Sequence, residues 1–161
     1  LVFTAGESLQ LGTIAATEVA TARAFFDLRY WGAFTAVKYG SPHLLPGGSI
    51  VLSSGIAAVR PASGWGLGAS ICSAMEGFTR AMAVELAPIR VNIVSPGIVR
   101  TNLWANMNDT DREAMYDQLS HSLPVRRIGA ASDIAKAYLY LMQQPFTTGQ
   151  VLITDGGGVL V

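Results

Sequence analysis

GASICSAMEGFTRAMAVELAPIRVNIVSPGIVRT, from Gly68 to Thr101, carries a helix, a turn and a strand in one uninterrupted run. Its first part is predicted to be helical from about Ala69 to Leu86, and Pro88 closes it because proline cannot continue a helix. RVNIV, Arg90 to Val94, follows as a short apolar run of the kind that forms a strand buried on both faces. Pro96-Gly97 ends that strand sharply.

The same alternation continues on both sides. Upstream, Gly47-Gly48 turns the chain into SIVLSS, Ser49 to Ser54, read as a central strand. A Pro- and Gly-rich loop, Pro61 to Gly68, joins it to the helix. A longer helix is predicted from Thr17 as its cap, with Glu18 in the first turn, Lys38 in the last, Gly40 beyond and Pro42 as a stop. Leu1 to Thr4 reads as a buried strand ending at Ala5-Gly6. Downstream, Thr101 to Pro124 is a candidate lid; a helix capped by Ser132, with Asp133 behind it, runs to about Gln143; and VLIT, Val151 to Thr154, is the last strand. Strands alternating with helices imply an α/β domain with a parallel sheet covered on both faces.

Composition narrows the function classes. The chain has 161 residues, 50% of them hydrophobic and 14% charged, enough to bury one core, so 1–161 is expected to be a single domain. A formal net charge of zero provides no basic stripe for a nucleic-acid backbone. Cys72 is the one cysteine, so no internal disulfide or cysteine-built metal site can form, which fits a reducing cytoplasm. Apolar stretches are broken well short of the roughly 20 residues a membrane span needs. The chain starts at Leu1 inside a strand-like run, and an N-terminal part of a longer protein is expected to be missing.

RVNIVSPGIVRT, TGQVLITDGG (Thr148 to Gly157), Ala5-Gly6 and Gly32 in DLRYWGAF together resemble the short-chain dehydrogenase/reductase family over essentially the whole chain. The resemblance implies a Rossmann-like fold, seen as the C-terminal two-thirds of a doubly wound domain without its first strands or Gly-rich phosphate loop. It implies an oxidoreductase that uses NAD or NADP on a small alcohol or carbonyl compound. Ala5, Gly6, Pro96, Gly97, Ile98 and Thr101 would contact the cofactor. A Pro-Gly at the carboxyl end of a central strand has a physical rationale of its own, since it lets backbone approach a flat ring in the sheet crevice. The family's usual subunit contacts fall on the helices near 18–39 and 69–86, so a homo-oligomer is expected.

Carbonyl reduction needs an acid for the developing alkoxide and donors to hold the oxygen. In the family a Tyr and a Lys four residues later open the long helix, a Ser precedes the Tyr by 13 residues, and an Asn on an earlier helix supports a water. Counting from Glu76-Gly77-Phe78-Thr79-Arg80 places the first three at Gly68, Cys72 and Gly55, and Gly32, three residues after the Asn place, puts the fourth at Arg29. None carries the family side chain. Ser54, one residue from Gly55, is the candidate donor to the substrate oxygen. The alternative is a catalytically inactive relative that serves as a binding or scaffold subunit.

Other residues have bland readings beside sharp ones. Cys72, one turn into a helix, could be an activated thiol or simple packing; Tyr30 with Lys38 could share a helix face; Tyr116 and His121 could reach a substrate from the lid; Trp65 could wall a crevice. Gly64-x-Gly66-x-Gly68 resembles a phosphate loop by letters, but no strand ends into it, and Gly156-Gly157-Gly158 leaves too little chain for a following helix. No HExxH, Cys/His cluster or Gly-x-Ser-x-Gly is present, so no metal site is expected.

Overall fold

A computed structural model describes all of residues 1–161. Its strands, in chain order, are β1 (Ser49–Ser53), β2 (Arg90–Pro96), β3 (Val99–Arg100), β4 (Gly129–Ala130) and β5 (Val151–Thr154). The three long ones form a parallel sheet in the order β1, β2, β5, with Ile50 beside Val91 and Val94 beside Leu152. Val2 bridges Val51 in parallel, and the Phe3 N–H donates to Val51 O at 3.0 Å. The buried strand expected over residues 1–4 is reduced to this single bridge on the free edge of β1, where no further strand covers it and Val2 stays 42% exposed. β3 and β4 make a separate two-residue pair.

The helices are α1 (Val19–Ala24), α2 (Gly32–Gly40), α3 (Gly66–Glu85), α4 (Asp109–Ser122) and α5 (Ala131–Gln143). Buried residues of α3 fall at Gly68, Ile71, Cys72, Met75, Glu76 and Thr79, the 3–4 spacing of one helical face. That face and α2 cover one side of the sheet, where Ala33, Val37 and Met75 pack on Ile50, Leu52, Val91 and Ile93. Side chains alternate across a strand, so Val51 and Val94 point to the other side and meet Ala137 and Leu141 of α5. Both faces of the sheet are thus covered by helices, as the apolar strands required.

Buried polar groups lock the frame. Asn92, fully buried, donates to Thr147 O at 2.8 Å and accepts from the Gln150 N–H at 3.1 Å, fixing the entry to β5 against β2. Arg90 donates to Leu141 O and Met142 O at 2.9 and 2.8 Å, putting a cation on the last carbonyls of α5.

Three helix starts differ from expectation. The helix read from Thr17 begins at Val19 and is broken between Ala24 and Gly32, where Asp27–Trp31 widens into a π-helical turn. Thr17 spends its hydroxyl on Thr13 O instead of capping. Its neighbours Phe25, Phe26, Tyr30 and Trp31 are bulky aromatics packed edge to face, and accommodating them shifts the helical phase. Ser132 lies inside α5; the turn is closed by Asp133, whose carboxylate accepts from the Ala130 N–H at 2.9 Å. α3 begins at Gly66, three residues before the expected Ala69 and inside the stretch read as loop, while β5 has the expected bounds. Beyond β5 a single 3-10 turn, Gly158–Leu160, does form, because Asp155 accepts from the N–H groups of Gly157 and Val159. No helix is long and apolar enough to cross a membrane.

Candidate active site

The carboxyl ends of β1 and β2 open into one cavity of about 1390 Å³, with 22 of its 38 lining residues hydrophobic, so it suits a mostly apolar ligand. Arg29, Gly55, Gly68 and Cys72 all line it. Three different elements bring them there. The π-helical turn carries Arg29, the end of β1 leads to Gly55, and the first turns of α3 carry Gly68 and Cys72. Arg29 Nη1 lies 3.8 Å from Cys72 Sγ, and an ideal Cβ on Gly55 would lie 3.3 Å from the same sulfur. The four positions singled out by counting are therefore neighbours in space.

Charge enters from a residue that sequence reasoning passed over. Glu7, on the loop after Gly6, stands 3.3 Å from Arg29 Nε, and both side chains are largely buried, 14% and 16% exposed. Gly6 leaves room for the guanidinium in this position, since a Cβ there would lie 2.8 Å from Arg29 Nη2. The sign in the sequence was an acid following Ala5-Gly6 and a lone cation inside FFDLRYWGAF. Burial pushes the Cys72 thiol above its usual range, with the Arg29 cation and a contact to Ser54 acting the other way. Cys72 is consequently a buried protonated thiol near neutrality, not an activated one.

Ser54 also lines the cavity, yet its hydroxyl is already engaged, lying 3.0 Å from Glu76 Oε1 and 3.2 Å from Cys72 O. A substrate oxygen must displace Glu76 to receive its proton. On the opposite face of β1, Ser53 donates to Phe3 O at 2.9 Å and sits 2.6 Å from Tyr138 Oη. Tyr138 lines the cavity and its phenol is pushed up mainly by burial, with the Ser53 contact acting against that.

Of the expected cofactor contacts, Pro96, Gly97, Ile98 and Thr101 line the cavity; Ala5 and Gly6 do not, although Thr4 and Glu7 on either side of them do. Gly97 is required by the protein itself: a Cβ there would lie 2.7 Å from Asp155 Cα. The Ile98 carbonyl accepts from the Gly129 N–H, while the Ile98 N–H donates to no protein acceptor. That free donor beside the cavity, at the end of a central parallel strand, fits a flat ring bearing an amide.

Tyr116 and His121 stand elsewhere. Tyr116 is buried beneath the Arg100 guanidinium, 4.3 Å from its ring centre, and lines a smaller polar cavity with Glu113 and Arg127; His121 is exposed and bonded to Asp117 O. Tyr30 packs on Phe78, and Lys38 lies against the Tyr39 ring. Trp65 does line the large cavity. Gly64 has a positive φ and its carbonyl accepts from the Gly12 N–H, a loop contact and not a phosphate cradle. No group of three or more potential metal ligands forms.

The family profile described as enoyl-(acyl carrier protein) reductase matches residues 1–158. Over 162 aligned residues, covering 99% of this chain, the short-chain dehydrogenase/reductase malC of Malbranchea aurantiaca is 33% identical. The chain belongs to the short-chain dehydrogenase/reductase family. Among solved members of that family, a small-chain dehydrogenase in complex with NADPH superposes with a TM-score of 0.96 and 42% identity, over 99% of this chain and 73% of that one. MalC reductase/Diels-Alderase superposes with a TM-score of 0.90 at 33% identity, over 99% of this chain and 62% of that one. The 3-oxoacyl-[acyl-carrier-protein] reductase of Bos taurus is 35% identical over 68% of this chain. The chain spans 61% of malC and 44% of the bovine 3-oxoacyl-[acyl-carrier-protein] reductase.

Proposed function

We propose that the whole protein is an NAD(P)-dependent oxidoreductase acting on a small carbonyl compound or alcohol, with an oxygen-binding site that does not use the family's Tyr and Lys. One observation carries the reading: the strand end Pro96–Ile98 and the positions Arg29, Gly55, Gly68 and Cys72 face a single cavity. A bound nicotinamide would supply or accept the hydride. This chain's part is to receive the ring against Pro96, Gly97 and the free Ile98 N–H, with Thr101 beside it and Ala5 and Gly6 toward the adenosine side. NADPH in a solved relative that is 42% identical supports the same cofactor class here. Ser54 is a second polar contact for the substrate oxygen once its hydroxyl turns from Glu76. A largely apolar lining supports an apolar substrate body.

Trp31, Phe34 and Tyr39 are exposed along the α2 side, which supports a homo-oligomer built through α2 and α3. The single buried thiol supports a cytoplasmic setting. Nothing in the cavity favours the scaffold-subunit alternative over catalysis.

The test is nicotinamide absorbance with the full-length protein and a panel of ketones, aldehydes and alcohols. Oxidation of NADPH or NADH by at least one carbonyl compound is expected. Failure to bind either dinucleotide would sink the reading, and activity unchanged by Ser54→Ala would remove Ser54 from it.

A further inference from the structure

We propose that Arg29, braced by Glu7, receives the oxygen of a neutral carbonyl substrate in place of the family's tyrosine, a step that rests on the oxidoreductase reading above. A guanidinium has five N–H donors and no acceptor. Here Nε faces Glu7 at 3.3 Å, buried and without a satisfactory hydrogen bond, Nη1 has only the weak Cys72 sulfur at 3.8 Å, and Nη2 donates to no protein group. Donors held in an apolar cavity are costly to leave unpaired and bind an incoming acceptor more strongly than in water. Two compact residues stand against the guanidinium: Gly6, where a Cβ would lie 2.8 Å from Nη2, and Cys72, whose sulfur lies 3.8 Å from Nη1. The cavity is thereby open to a ligand at the point where the Arg29 donors are unused.

Glu7 decides which oxygen fits. Its carboxylate already neutralises Arg29, and Glu7 Oε2 is buried with no partner. A carboxylate ligand would bring a second anion beside an unsatisfied one and lose its own hydration, whereas a ketone oxygen needs only a donor. The substrate is therefore an apolar compound with an uncharged carbonyl, and Glu7 is the positioning residue that excludes acids. Arginine keeps its protons, so the group stabilises charge on oxygen without serving as the acid, and the alkoxide takes its proton from water entering the cavity.

The probes are 4-phenylbutan-2-one and 3-phenylpropanoate, alike in shape but differing in a methyl group against an anionic oxygen. Their binding to the full-length protein is followed by ligand-observed NMR. The ketone is expected to bind at least about tenfold more tightly, and Arg29→Met to weaken it about 10- to 100-fold, as for a hydrogen bond to a charged donor. Glu7→Gln is expected to raise affinity for the acid about tenfold or more, a switch that a purely structural role for Glu7 would not produce. Because Arg29→Met leaves Glu7 without its counter-ion, the double variant Glu7→Gln/Arg29→Met, checked for cooperative melting, must lose the ketone as well. The proposal is overturned if wild type binds neither probe, if it prefers the acid, or if either folded Arg29 variant keeps the ketone affinity. Nicotinamide absorbance run alongside separates the two readings. Arg29-dependent ketone binding without hydride transfer to any carbonyl compound leaves this site and removes the oxidoreductase; wild-type turnover in Arg29→Met does the reverse.

Discussion

Replacing Arg29 by Met should slow alkylation of Cys72, and the effect follows from one distance. Arg29 Nη1 stands 3.8 Å from the Cys72 sulfur. At about 4 Å and an effective dielectric near 20, a unit charge stabilises an anion by about 4 kcal/mol. Glu7, 3.3 Å from Arg29 Nε, opposes much of that. A surviving ~1–2 kcal/mol corresponds to a factor of about 5–30 in thiolate population. The sign is fixed by the causes: burial holds the thiol up, the Arg29 cation pulls it down, and removing the cation raises it further. Iodoacetamide is small and uncharged, and mass spectrometry of the Cys72 peptide from the full-length protein reads the modification at that site alone. Rates across pH 7 to 11, each normalised to its own plateau, should give a curve displaced to higher pH in Arg29→Met. Opening the cavity by losing Arg29 could raise the plateau rate, but it cannot move the midpoint upward. A midpoint that stays put or falls would show that Arg29 does not face the thiol in solution, and the arrangement of the whole site would have to be redrawn.

Asp133 offers an independent check of the α5 start: Arg127, at 2.6 and 3.1 Å, and the Ala130 N–H hold its carboxyl down at about 2. Its stabilising contribution is fully present above the ordinary value of 3.8 and is lost as pH falls toward about 2. Wild-type Tm should therefore drop through that acid window, and Asp133→Asn should melt lower at pH 7 but lose less on acidification; parallel curves would refute the assignment. Two glycine substitutions should separate packing from chemistry. Gly97→Ala puts a Cβ 2.7 Å from Asp155 Cα and should cost about 1–3 kcal/mol in urea denaturation, whereas Gly68→Ala meets only Trp65 at 3.7 Å and should be neutral or stabilising by up to ~1 kcal/mol. Equal losses at both positions would contradict the packing described.

Much of the frame was legible because its periodicity is strong. Ile71, Cys72, Met75, Glu76 and Thr79 repeat at helical spacing, RVNIV is apolar on both faces, and VLIT lies between turn residues, so α3, β2 and β5 fall close to where they were expected. The first long helix was less legible because Thr17, Glu18 and Lys38 are ordinary boundary signals, while the aromatic run from Phe25 to Trp31 imposes packing that no capping rule anticipates. Within the site, positions could be counted but partners could not. Glu7 and Arg29 are far apart in sequence and meet across the loop after Gly6, which leaves room for the guanidinium. Ser54 looked available one residue from Gly55, yet a strand's alternation turns it toward α3, where Glu76 engages it.

The substitutions at Arg29, Gly55, Gly68 and Cys72 are physically consistent with one another. A lysine at 72 would set its ammonium against the Arg29 guanidinium, which reaches to within 3.8 Å of the present sulfur, and two cations so close in an apolar cavity would outweigh the single carboxylate of Glu7. A neutral, compact residue at 72 is therefore what an arginine at 29 requires. A side chain at 55 would start 3.3 Å from that same sulfur and take up space in the cavity that Gly55 lines. Without a lysine, a phenol at 68 would lose the neighbouring cation that makes it an effective acid, so a tyrosine there would bring bulk without function. Gly68 leaves that space to a ligand. Arginine at 29 and small residues at the other three positions thus act as one change: the proton-donating pair is exchanged for a fixed, counter-ion-braced cation.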